Sequence, residues 1–134
     1  MNISMLKHIY LDKLFYLYLL IIIFTGNFNN FIPYFNLLII HEFGHAITGI
    51  VMGYKLDKII IYPCGGITVF NLPLNIPLIC ELLILIMGPI MQIIGYLFLK
   101  NYYSQIYLYH YALLIFNMLP IYPLDGGKIL NNLC

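Results

Sequence analysis

Residues His41-Glu42-Phe43-Gly44-His45 hold the most chemistry-bearing spacing in this chain. Positions four apart on a helix lie one turn above each other on one face, so His41 and His45 can grip one metal ion. Glu42 follows the first histidine, where a carboxylate can take a proton from an attacking water. The flanks are apolar, Phe35-Asn36-Leu37-Leu38-Ile39-Ile40 before and Ala46-Ile47-Thr48-Gly49-Ile50-Val51-Met52 after. Ionisable groups are costly in hydrocarbon, so this cluster in an apolar helix points to function.

A catalytic zinc takes three protein ligands and keeps a fourth position for water. The histidines leave one ligand to be found among Asp12, Asp57, Glu81, Asp125, His8 and His110. Asp125 stands apart by its setting, Asn117-Met118-Leu119-Pro120-Ile121-Tyr122-Pro123-Leu124-Asp125-Gly126-Gly127. Prolines and glycines there break the helix, and unwound backbone at membrane depth is tolerated where it lines a cavity. Glu81, His8 and His110 read as interfacial groups. Asn117 reads either as a site residue or as an ordinary helix–helix hydrogen bonder.

The elements that must position these groups are apolar. Of 134 residues, 63% are hydrophobic and 8% charged, against about 25% charged in soluble domains. The expected fold is therefore an all-α polytopic membrane protein, a single domain over 1–134 with about four transmembrane helices. Net charge is +1 and every cation is a lysine, which argues against nucleic-acid binding. Cys64, Cys80 and Cys134 are odd in number and far apart, which argues against a disulfide scaffold. The first apolar run, Leu14 to Phe24, ends in Thr25-Gly26-Asn27 with no small-residue cleavage pattern, so it reads as a span and not a signal peptide.

That first run is short and can borrow turns from Ile9 onward. Asn27, Asn29, Asn30 and Pro33 predict a loop. A second span runs from about Tyr34 to Tyr54, a third from about Leu78 to Leu99 broken at Gly88-Pro89, and a fourth from about Tyr102 to Leu119. Between the second and third, Ile59-Ile60-Ile61-Tyr62 and Ile67-Thr68-Val69-Phe70 flank Pro63-Cys64-Gly65-Gly66, predicting a membrane-surface β-hairpin at about 58–70. Gly44, Gly49 and Gly53 read as close-packing positions. With a cytoplasmic N-terminus, Lys7, Lys13, Lys55, Lys58 and Lys128 lie inside and Lys100 outside, as the positive-inside rule prefers.

The pairing of HEFGH with Asn117-x-x-Pro120-x-x-Pro123-Leu124-Asp125-Gly126 resembles the site-2 protease family of intramembrane zinc metalloproteases. Within it, the hairpin with Pro63-x-Gly65-Gly66 and the Gly88-Pro89 span resemble the short branch typified by the sporulation protease that processes a membrane-tethered pro-sigma factor. The resemblance implies one zinc held by His41, His45 and Asp125, with Glu42 as catalytic base and Asn117 beside the scissile peptide. It also implies a membrane-tethered protein substrate, membrane regulators, and a place in the bacterial inner or cell membrane. Two features depart from the pattern. Gln92 stands where the family commonly has asparagine, and the chain ends at Cys134, where sporulation-type members continue into further helices and a nucleotide-binding domain. The alternative is a proteolytically silent zinc-binding protein that holds a membrane partner, which would have no need of Glu42. A metal transporter would carry more intramembrane carboxylates and histidines along a path.

Overall fold

Gly26 takes a left-handed φ of 71° and ends helix α1 (Lys13–Thr25), its N–H donating to the Ile22 carbonyl at 2.8 Å. Only glycine enters that region without steric cost, so one residue makes the reversal. Helix α2 (Phe28–Val51) starts at once from Asn27. The loop expected over Asn27 to Pro33 is therefore not there: Asn29, Asn30 and a buried Pro33 belong to α2. A proline in the second turn withholds a single N–H, and its ring fills buried space. The computed structural model describes residues 9–63, 65–71, 76–120 and 125–133. His8, Cys64 and Cys134 lie outside those residues, as do residues 121–124 with Pro123.

The α1 helix does not borrow turns from Ile9. Asp12 caps it, its carboxylate accepting from Leu14 N–H at 3.2 Å, and strand β1 (Ile9–Leu11) precedes the cap. This strand pairs in parallel with β2 (Lys55–Tyr62), Ile9 opposite Ile59 and Leu11 opposite Ile61. In turn, β2 pairs antiparallel with β3 (Gly65–Asn71), giving a three-stranded sheet in the order β1-β2-β3. The expected hairpin is present with longer arms and a third strand. A bulge between Leu56 and Lys58 slips the side-chain alternation by one, so Leu56 shares the buried face with Ile59 and Ile61. These three join Phe15, Leu37, Leu38, Ala46, Ile106 and Leu113 in the main core.

Helix α3 (Leu78–Leu99) runs unbroken through Gly88-Pro89, contrary to the expected break. Pro89 offers no N–H to the carbonyl of Leu85, but the rest of the ladder continues around it. Gly88 has a different use: a Cβ there would strike the imidazole of His45. Across the same interface, a Cβ on Gly44 would meet the Met87 carbonyl oxygen at 2.5 Å. The two glycines let α2 and α3 approach backbone to backbone. Gly49 likewise makes room for the Phe70 ring, whereas Gly53, at φ 92° with open space around it, is a turn residue and not a packing one.

Helix α4 (Ile106–Asn117) is shorter than the span expected there, and helix α5 (Asp125–Leu133) opens on Asp125. Among the described residues, α3 is the one helix long and apolar enough to cross a membrane, with mean hydropathy 2.3 and only 28% of its window buried. The apolar α1 and α4 have 13 and 12 residues, about 20 and 18 Å at 1.5 Å per residue. Large apolar side chains, including Leu17, Ile21, Phe24, Phe98, Leu108 and Ile115, stand exposed along these helices.

Candidate metal centre

Helix α2 places His41 and His45 on one face with their rings 4.9 Å apart, as the four-residue spacing requires. Their Nε2 atoms are 3.2 Å apart. Asp125, from the start of α5, brings one carboxylate oxygen to the same point: Oδ2 lies 2.8 Å from His41 Nε2 and 3.0 Å from His45 Nε2. Gly126 makes this delivery possible, because a Cβ there would collide with the backbone of Met118 and Leu119. All three groups are buried.

The other ring nitrogens show which atoms carry protons. His45 Nδ1 is 2.8 Å from the backbone oxygen of Ile84, and His41 Nδ1 is 2.8 Å from Gln92 Oε1. Both partners only accept, so in each neutral ring Nδ1–H donates and Nε2 is left as a bare lone pair. With both rings neutral, two nitrogen lone pairs and a carboxylate oxygen converge on one point. That is a donor set for a cation. The separations of 2.8, 3.0 and 3.2 Å are near the roughly 3.3 Å edges of a tetrahedral zinc site built from bonds of about 2.0–2.2 Å.

Glu42 is buried beside this point, with ligand atoms of His41, Glu42 and His45 all within 4.8 Å of one another. Its carboxylate turns to β3, where Thr68 Oγ1 donates to Oε2 at 2.7 Å. Gly66 on the same strand makes space for it, since a Cβ would lie 2.8 Å from the carboxyl carbon. The strand therefore holds one oxygen of the carboxylate while the group stays beside the two histidines.

The structure brings together four of the five residues singled out by sequence. The fifth, Asn117, is buried at the end of α4; its amide donates to the Leu113 carbonyl at 3.0 Å, and its Oδ1 lies toward Gly65 at the start of β3. Of the other third-ligand candidates, Asp12 caps α1, Asp57 sits at the β2 bulge, and Glu81 is half-buried in the first turn of α3. His110 is a correction: it is 4% exposed, not interfacial, and linked to His41 through Gln92. Thr68 was also missed as a partner of the site, and Gln92 was marked only as standing at the family's usual asparagine. A signal for Gln92 was present, because Ile84, Gly88 and Gln92 recur every four residues and so share a face of α3.

No family model matches the sequence. Among characterised proteins, the chain is 34% identical over 136 residues to a zinc metalloprotease of Methanocaldococcus jannaschii, covering 87% of this chain and 39% of that protein. It is 28% identical over 116 residues to stage IV sporulation protein FB of Bacillus subtilis, covering 79% of this chain and 40% of that one. The chain thus spans about two-fifths of the length of these curated relatives. Its fold matches the solved site-2 protease from Methanocaldococcus jannaschii with a TM-score of 0.72 and 32% identity, over 93% of this chain and 66% of that structure. With two histidines and a distant aspartate meeting at one point on the same fold, the chain belongs to the site-2 protease family, in its sporulation-type branch.

Proposed function

We propose that this chain is the single-domain catalytic core, residues 1–134, of an intramembrane zinc metalloprotease. It would hydrolyse a peptide bond in or near the transmembrane segment of a membrane-tethered protein. One observation carries the reading: the Nε2 atoms of His41 and His45 and the Oδ2 atom of Asp125 meet beside a buried glutamate, one oxygen of which is held by Thr68. His41, His45 and Asp125 would hold one zinc ion, which when bound acidifies water and polarises a carbonyl.

The chain's own groups do the rest. Glu42 takes the proton of the attacking water and passes it to the leaving amine, the two proton transfers that peptide hydrolysis needs. The Thr68 hydroxyl holds one oxygen of Glu42 and so aims the other. Asn117, whose Oδ1 faces the start of β3, orients the scissile peptide by accepting one of the substrate's backbone N–H groups. A helical peptide bond is shielded and its carbonyl engaged, so the substrate must unwind to be cut. Strand addition suits that need. The outer edge of β2 is covered by β1, whereas β3 has no further strand on it among the described residues, so β3 receives the unwound segment.

The bilayer enters through the helices. An α3 that is apolar all round yet mostly unburied in the protein is best satisfied by lipid. In the proposed arrangement α1 to α4 make four passes with a cytoplasmic N-terminus, as in a bacterial cell membrane. The two short helices match a bilayer thinned around the site, which would let water in. A membrane-tethered pro-transcription factor is one substrate of the required kind.

The test is co-expression with single-span membrane-tethered candidates, comparing wild type with Glu42→Gln by the appearance of a shortened product. Product with wild type alone supports the reading. Equal product from both would remove Glu42 from the chemistry, and the silent zinc-binding alternative predicts product from neither.

A further inference from the structure

Gln92 is completely buried on α3, and both ends of its amide are engaged. Its Nε2 lies 2.9 Å from the backbone oxygen of His110 and 3.2 Å from His110 Nδ1. A carbonyl oxygen only accepts, so this end of the amide is the NH₂ group. The opposite end, 2.8 Å from His41 Nδ1, is therefore the oxygen. An oxygen there requires His41 to carry its proton on Nδ1 and to present a bare Nε2 to Asp125 and His45. The reversed amide would set its NH₂ against Nδ1 and drive the ring proton into the three-way meeting point.

What forbids the reversal is His110. Its carbonyl and its Nδ1 take both hydrogens of the amide, and its ring is held face to face with Tyr96, 4.3 Å apart and tilted by only 8°. Direction thus passes from a stacked ring on α4, through an amide on α3, to a metal-ligating ring on α2. We propose that Gln92, clamped by His110, is a positioning residue that fixes His41 in the tautomer able to bind metal. The proposal rests on the reading that His41, His45 and Asp125 hold zinc. It also gives the sequence departure at position 92 a purpose, since a buried amide used for filling space alone would be replaceable by any side chain of its volume.

The experiment uses the full chain in detergent micelles and compares wild type, Gln92→Met and Gln92→Glu. Methionine keeps the volume and removes the acceptor. Glutamate keeps an oxygen for His41 and, when protonated, a donor for the His110 carbonyl. Zinc affinity by chelator competition should fall by about 10–100-fold in Gln92→Met, the usual cost of losing a partner behind a metal ligand, and stay near wild type in Gln92→Glu. The visible spectrum of the cobalt(II)-substituted protein should shift in Gln92→Met alone. In zinc-loaded wild type, ¹⁵N resonances of labelled histidine should place the metal on His41 Nε2 and a proton on Nδ1, whether or not the variants fold. Unchanged affinity and spectrum in Gln92→Met, or zinc on His41 Nδ1, would overturn the positioning role alone. A wild type that binds no zinc would overturn the metal reading and this proposal with it.

Discussion

Two buried carboxylates stand beside the same pair of histidines, and their neighbours give them different work. Asp125 puts one oxygen between both Nε2 atoms, whereas Glu42 is drawn to the Thr68 hydroxyl. Replacing Asp125 by alanine removes one of three donors, so zinc content should fall from about one per chain to a small fraction of that. Metal analysis of the purified variant checks this, and full zinc retention would take Asp125 out of the coordination sphere. The histidines and Glu42 were legible in the sequence because their spacing is local and helical. Thr68 and Gln92 were not, since their partners lie 26 and 51 residues away and only the fold supplies those contacts. Asp125 was legible in part: its prolines and glycines marked a special place, and the family resemblance named it as a ligand.

Glycines decide how closely the elements approach the site, and they offer a way to separate its two halves. A Cβ on Gly88 would press on the His45 ring, while one on Gly66 would press on the Glu42 carboxyl group. Gly88→Ala should therefore weaken zinc binding, and Gly66→Ala should keep zinc but slow cleavage. The same loss in both variants would show that the site moves as one block. The β3 edge has its own check. Ile67→Pro or Val69→Pro removes a backbone donor from the strand, so cleavage should fall while zinc stays. Undiminished cleavage in both would dismiss strand addition. At this scale the sequence was informative about helices and strands and misleading about breaks. Asn29, Asn30, Pro33 and Pro89 have the chemistry of turns, yet all four lie inside helices, because a long apolar helix loses one N–H at a proline and keeps the rest of its ladder. Strand β1 was missed because three residues beside charged neighbours carry too little alternation to read.

On the proposed function, the molecule as a whole has to set a charged, hydrolytic centre inside an apolar body. Composition made the apolar body legible, but the number of passes depends on how helices as short as α1 and α4 meet a bilayer, and hydropathy alone does not fix that. Lysines give the proposed orientation a direct check. A cysteine placed at Lys100 should react with an impermeant thiol reagent in intact cells, and one placed at Lys58 only after permeabilisation. The reverse pattern would invert the topology. The central claim, that one buried centre both holds zinc and cuts peptide bonds with Glu42 as its base, is tested most directly by assaying zinc content and cleavage in the same purified Glu42→Gln sample. The glutamine keeps size and hydrogen bonding but cannot take the proton. The account predicts about one zinc per chain, as in wild type, with turnover lower by at least ~10²–10⁴-fold. Near-normal cleavage by a zinc-loaded Glu42→Gln protein would contradict it.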